Sequence, residues 1–210
     1  MMLRILLAAF LSLFAVIGNA QIQIGSGNLF FKVGDENYTL YLPEGFCKTI
    51  GGHWLQQRKV DLKNIPQTNF VSVFTTCEIE TGKEANGWIL SFHKPFRGTQ
   101  YDMNNSLLQQ LSSDEFWDDI QKKSHEIRPD LMTPNKPVVM LADDKAIAVS
   151  VKQFINGENG EIIETIAVSA QIARRGHALF GYLQMRLDVY SEDEINALSD
   201  AWVEAFSSIE

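Results

Sequence analysis

Side chains able to do chemistry are few in this chain, and they are scattered. Its four histidines, His53, His93, His125 and His177, stand singly, so a metal site would require three distant elements to converge. Each reads instead as a surface or strand-end residue. The sequence contains no G-x-S-x-G elbow, S-x-x-K, H-E-x-x-H, Gly-rich phosphate loop or EF-hand loop. No catalytic, cofactor-binding or metal-ligating residue is therefore assigned, and no cofactor is expected. Asp114, Glu115, Asp118 and Asp119 gather where a helix is expected to begin, and there they complement the helix dipole. A calcium site is the sharper alternative, but the regular oxygen spacing of known loops is missing. Asp143-Asp144 and Glu192 to Glu194 read as turn and capping residues. The aromatic residues carry more. Tyr38, Phe46, Trp54, Trp88, Phe96 and Tyr101 come from different segments of the first half, several of them at strand ends. Trp54, Trp88, Phe96 and Tyr101 are the candidates to line a groove for a ligand or peptide. Core packing is the competing reading, because 13 phenylalanines and 4 tryptophans must mostly be buried.

The compartment bears on the two cysteines. Arg4 precedes an apolar run from Ile5 to Ile17, interrupted only by Ser12, and Gly18-Asn19-Ala20 places small residues where a signal peptidase reads them. A cleavable signal peptide over residues 1–20 is expected, with Gln21 first in the mature chain. The alternative of a membrane anchor needs about 20 apolar residues and a stop-transfer cluster, and neither is present. Export to an oxidising compartment, periplasmic or secreted, favours a disulfide between Cys47 and Cys77 over two buried free thiols. A catalytic or metal role for the pair is weaker, because there is no C-x-x-C and His53 has no partner at ligand spacing. Removing the leader takes away one of the 18 Lys and Arg and none of the 26 Asp and Glu, leaving 17 against 26 and a net charge of −9. That surface repels phosphate backbones, which disfavours nucleic-acid partners.

Residues 21–27 read as a flexible start and residues 28–210 as a single domain. Asn28 to Val33 and Tyr38 to Leu42 form an expected hairpin around Gly34-Asp35-Glu36-Asn37, and Pro43-Glu44-Gly45 breaks its second strand. His53 to Lys63 suits a surface helix ending before Pro66. Phe70 to Glu80 alternates as a strand with Val71, Val73, Thr75, Cys77 and Ile79 on one face, which predicts a buried Cys77. Trp88 to His93 is the next strand. Ser112 and Glu115 read as a capping box opening a helix through Phe116, Trp117 and Ile120 to about Ser124. Three prolines between Arg128 and Pro137 rule out regular helix and mark a crossing or loop.

In the last third, Ala146 to Ile155, Ile162 to Arg174 and His177 to Tyr190 are strands separated by turn chemistry, Asn156 to Gly160 and Arg175-Gly176. They read as an antiparallel meander. In the third strand Leu179, Leu183, Met185, Leu187 and Val189 share a core face, while Gln184, Arg186 and Asp188 meet water. A second capping box, Ser191 with Glu194, opens a helix from Glu192 to Ile209 whose Ile195, Leu198, Trp202, Phe206 and Ile209 form one stripe. The fold class expected is α+β, a mainly antiparallel sheet with this C-terminal three-stranded meander, flanked by helices.

Leu42-Pro43-Glu44-Gly45-Phe46-Cys47, with Asn69 to Cys77 downstream, resembles a group of uncharacterised exported bacterial proteins with a P-x-G-(F/Y)-C strand end and a later strand ending in cysteine. Tyr38 to Phe46, with Tyr182 to Tyr190 and the last helix, looks more loosely like the PsbP-like αβα fold. That resemblance implies an extrinsic, non-catalytic binding module and carries over no site residues. The function expected is an exported, non-catalytic binding or accessory protein acting on a protein or cell-envelope partner. The alternatives are a hydrolytic enzyme whose residues converge only in three dimensions, and a structural envelope component.

Overall fold

The computed structural model describes residues 23–25, 27–51, 68–77, 83, 85–92, 94–116, 118, 122, 131–132, 136–156 and 161–210. The elements run β1 (Gln23–Gly25), β2 (Leu29–Val33), β3 (Glu36–Leu40), β4 (Phe46–Gly51), β5 (Thr68–Thr76), β6 (Asn86–Phe92), α1 (Gln100–Leu111), β7 (Leu131–Met132), β8 (Val138–Ala142), β9 (Ile147–Asn156), β10 (Ile162–Arg174), β11 (His177–Arg186) and α2 (Glu192–Ser207). Strand residues far outnumber helical ones, so the expected α+β class gives way to a mainly β fold. The reason is physical. The apolar runs of the central strands β6, β10 and β11 are buried on both faces and anchor one wide antiparallel sheet, while α1 and α2 only cover it.

The sheet order is β1-β4-β5-β6-β11-β10-β9, and β7 and β8 both pair with the outer side of β9. The β2–β3 hairpin stands apart as a two-stranded sheet. Its turn places Gly34 at φ 60, the left-handed conformation that a two-residue hairpin turn requires at that position. The β10–β11 turn is tighter in its demands, with Arg175 at φ 47 and Gly176 at φ 77. Two positive φ values in sequence match the right-handed twist of the flanking strands and set their register, Arg174 opposite His177 through Thr165 opposite Arg186. β9 pairs with β10 from Gln171 opposite Ile147 to Ile162 opposite Asn156, which completes the meander.

Two cores lie on opposite faces of this sheet. On one face α1 seats Met103, Leu107 and Leu111 over Trp88, Val149, Phe180 and Tyr182. On the other, α2 and the hairpin cover Phe74, Leu179, Leu183 and Met185 with Trp202, Phe206, Leu29 and Leu40. The expected water-facing side of β11 is therefore corrected: Ala178, Phe180 and Tyr182 are buried under the α1 layer, and only the end carrying Gln184 and Arg186 is half-exposed. β11 also stops at Arg186. The N–H groups of Val189 and Tyr190 turn back to the Arg186 carbonyl, so Leu187 and Val189 reach the α2-side core from a turn.

The helix expected at Ser112 is displaced. α1 begins at Thr99, whose side chain accepts from the Asp102 N–H while the Asp102 carboxylate accepts from the Thr99 N–H. Ser112 is the C-cap of that helix, and Ser113 caps the following turn by accepting from the Phe116 N–H at 3.2 Å. Residues 114–116 are helical, and Trp117 and Ile120 lie outside the described residues. So does the expected helix from His53 to Lys63. Within the expected crossing from Arg128 to Pro137, β7 pairs Leu131 with Ile155 and Met132 with Phe154.

Cys47 and Cys77 form a disulfide with Cα atoms 5.1 Å apart. β4 pairs with β5 beside it, with Phe46 opposite Thr76, and the Cys77 N–H donates to the Gly45 carbonyl at 2.7 Å. Cys47 is buried, but Cys77 is exposed, contrary to the alternation. β5 ends at Thr76, so the face assignment of a continuing strand no longer applies to the next residue.

The closeness of α2 to the sheet depends on one glycine. A Cβ at Gly181 would stand 2.4 Å from Trp202 Cζ2 and 2.5 Å from the Phe206 ring. Those rings are fixed by packing on all sides, so Gly181→Ala is expected to destabilise the fold by about 1 to 3 kcal/mol, the usual cost of overpacking a core. A urea melt reads this as a lowered midpoint. An unchanged midpoint would mean that α2 has room to lift away.

Candidate functional site

Among the described residues an opening lies at the start of α1. Gln100 and Asn104, one turn apart on the inner side of that helix, are both buried. Gln100 Oε1 accepts from the Ala173 N–H at 2.7 Å, and Gln100 Nε2 donates to Asn104 Oδ1 at 2.7 Å and to the Gln171 carbonyl at 3.3 Å. Asn104 Nδ2 donates to the Asp143 carbonyl at 2.6 Å. Two carboxamides thus tie the first turns of α1 to β10 and to the loop between β8 and β9. That loop is itself closed by Asp143, whose Oδ1 accepts from the N–H groups of Lys145 at 2.8 Å and Ala146 at 2.9 Å. Between helix and loop runs a cleft of about 500 Å³ whose lining includes Thr99, Tyr101, Asn104, Asn105, Asp143 and Asp144. Tyr101 stands at its rim, 71% exposed.

The chemistry of this lining is recognition. Burial pushes the Asp143 carboxyl up, but the Ala146 and Lys145 N–H groups, helped by the charges of Lys145 and Arg174, more than offset it and hold it below the usual carboxylate range. Asp102, which caps α1 outside the cleft lining, is likewise held low, hydrogen-bonded first by the Thr99 N–H and then by its hydroxyl. Carboxylates kept ionised accept hydrogen bonds and attract cations but do not deliver protons at neutral pH. The carboxamides of Asn104 and Asn105 offer donors and acceptors without titrating, and the Tyr101 ring offers a flat face.

The residues singled out in the sequence are dispersed. Trp88 is in the α1-side core, stacked on Tyr182 with ring centroids 4.4 Å apart. Phe96 packs partly buried against the same core, and Tyr101 is in the cleft. Trp54 lies outside the described residues. Tyr38 and Phe46 belong to the opposite core, where the Tyr38 hydroxyl donates to the Arg174 carbonyl at 3.1 Å and Phe46 meets Phe74 edge-on. His177 sits edge-on to Tyr38, and His53, His93 and His125 lie outside the described residues. Asp114, Glu115 and Asp118 are exposed, with Lys136 Nζ 3.3 Å from Asp114, and Asp119 is outside. Among the described residues no three His, Cys, Asp or Glu side chains gather to hold a metal ion. No helix among them is long and apolar enough to cross a membrane. Gln100 and Asn104 escaped sequence reasoning because α1 did. The signal was present, since Thr99 and Asp102 have capping-box spacing ahead of Met103, Leu107 and Leu111. No protein-family model matches the chain, and no curated protein matches it either.

Proposed function

We propose that this chain is an exported, non-catalytic binding or accessory module of the cell envelope, and that it holds its partner in the cleft beside α1. The observation that carries the reading is the lining itself. An ionised carboxylate, carboxamides and one exposed aromatic ring are groups that recognise a ligand, and the Asn104 and Asp143 side chains among them are held by hydrogen bonds that tie α1 to the loop between β8 and β9 and close that loop. Export is supported by the signal-peptide pattern in the sequence of residues 1–20, by the Cys47–Cys77 disulfide and by the resemblance around Leu42 to Cys47. The net charge of −8 for the whole chain favours a protein or envelope partner over nucleic acid.

The test is differential capture. Immobilised wild-type protein and the double variant Tyr101→Ala, Asn105→Ala are exposed to the same envelope extract. Both side chains are exposed, so the variant is expected to melt within about 0.5 kcal/mol of wild type. Retention of the envelope component is expected to weaken at least roughly tenfold, the factor that about 1.4 kcal/mol represents. Equal retention by wild type and variant would rule out the cleft as the binding surface.

A further inference from the structure

On the α1 face of the sheet, beyond the Trp88–Tyr182 stack, the apolar surface gives way to a band of polar side chains. Strand alternation puts Asn86 two residues from Trp88, Gln184 and Arg186 beyond Tyr182, Thr165 beyond Ala167, and Gln153 beyond Val151, all on one face. Register makes them neighbours: Asn86 is opposite Gln184, Arg186 is opposite Thr165, and Thr165 is opposite Gln153. Ala167, opposite Gln184 on one side and Val151 on the other, stands between the polar band and the stack. Its side chain is the smallest there.

Several of these groups are buried with nothing to bond. Among the described residues, Gln153 is 0% exposed and neither its Nε2 nor its Oε1 has a hydrogen-bond partner; Thr165 is 1% exposed and its Oγ1 has none there; Asn86 Oδ1 has none there either. A buried carboxamide left wholly unmatched costs more than its burial returns, and a Leu and a Val of similar shape would fill the two places without that cost. Retaining polar groups there serves something other than stability.

We infer that this band is a second, internal ligand site, independent of the cleft, which takes an uncharged N-acetylated sugar. Gln153 offers one donor and one acceptor side by side, the complement of an acetamido group. Thr165 Oγ1 and Asn86 Oδ1 accept from hydroxyls. Arg186 is held by Asp188, Nε to Oδ1 2.9 Å, so the band asks for no charge on the ligand. The Trp88–Tyr182 pair supplies the apolar wall that a sugar ring face packs against. Gln153 and Thr165 are closed off from solvent, whereas Asn86, Gln184 and Arg186 are half-exposed, so the ligand reaches the buried pair from that open end.

Two measurements on the full chain test the assignment. N-acetylglucosamine titrated into wild type is expected to shift the backbone amide resonances of Thr165 to Ser169, with glucose producing at most a small fraction of that shift. No shift, or an equal one with glucose, overturns it. Separately, the ligand-free double variant Gln153→Leu, Thr165→Val is expected to raise Tm by at least roughly 2 to 4 °C. An unchanged or lower Tm, or failure of the variant to fold, would mean that the polar groups are satisfied inside the fold and overturns the inference.

Discussion

Trp202→Ala is expected to cost about 3 to 5 kcal/mol, a large share of the about 5 to 15 kcal/mol that holds a typical domain together. Trp202 is 0% exposed, stacks on Phe74 with centroids 4.4 Å apart, and lies across Gly181 with Phe206 beside it. Its Nε1 is buried without a hydrogen-bond partner among the described residues, so the loss is one of packing and cavity formation. Glu204, exposed on the same helix, is the control, and Glu204→Ala is expected to change stability by less than about 0.5 kcal/mol. Urea melts of the two variants decide the matter. If Trp202→Ala melts like wild type, α2 does not close the core.

Removing the disulfide is expected to cost nearly as much. The two cysteines are 30 residues apart in sequence, and in the chain-entropy treatment a loop of that length corresponds to about 3 to 4 kcal/mol lost from the oxidised protein. Their Cα separation of 5.1 Å lies within the range that disulfides span without moving the backbone. The double variant Cys47→Ala, Cys77→Ala and the dithiothreitol-reduced wild type are expected to share the same lowered urea midpoint. Because Cys77 is the exposed end, reduction is expected to proceed without prior unfolding. Coincident melts of reduced and oxidised protein would contradict the account, as would recovery of two free thiols from exported material.

What was legible in the sequence was whatever is decided locally. Arg175-Gly176 and the Gly34-Asp35-Glu36-Asn37 stretch announce turns because few residues accept positive φ, although β3 already begins at Glu36, and Ser191 with Glu194 announces α2 because a capping box closes within four residues. The same local logic fails at Ser112, where S-x-x-E spacing occurs by coincidence at the end of a helix whose own box is Thr99 with Asp102. The double burial of β11 could not be read from Phe180 and Tyr182 alone. Aromatic residues suit either side of a strand, and it is the covering helix α1 that decides their burial. The cleft was least legible. Its anchor, Gln100, finds partners 71 and 73 residues away, and a carboxamide on a helix gives no sign of so distant a bond. Of the aromatic residues picked for a groove, Tyr101 reaches this cleft while Trp88 serves the core, a difference set by tertiary packing and not by residue type.

The central claim is that the cleft face, and not the α2 face, meets the partner. Site-specific photo-crosslinking in exporting cells tests it most directly, with p-benzoylphenylalanine placed at position 101 in one strain and at position 204 in another. Both positions are exposed, on helices that cover opposite faces of the sheet. The account predicts a discrete crosslinked species from position 101, lost when Asn105→Ala is added, and none from position 204. Adducts from position 204 with none from position 101 would contradict it.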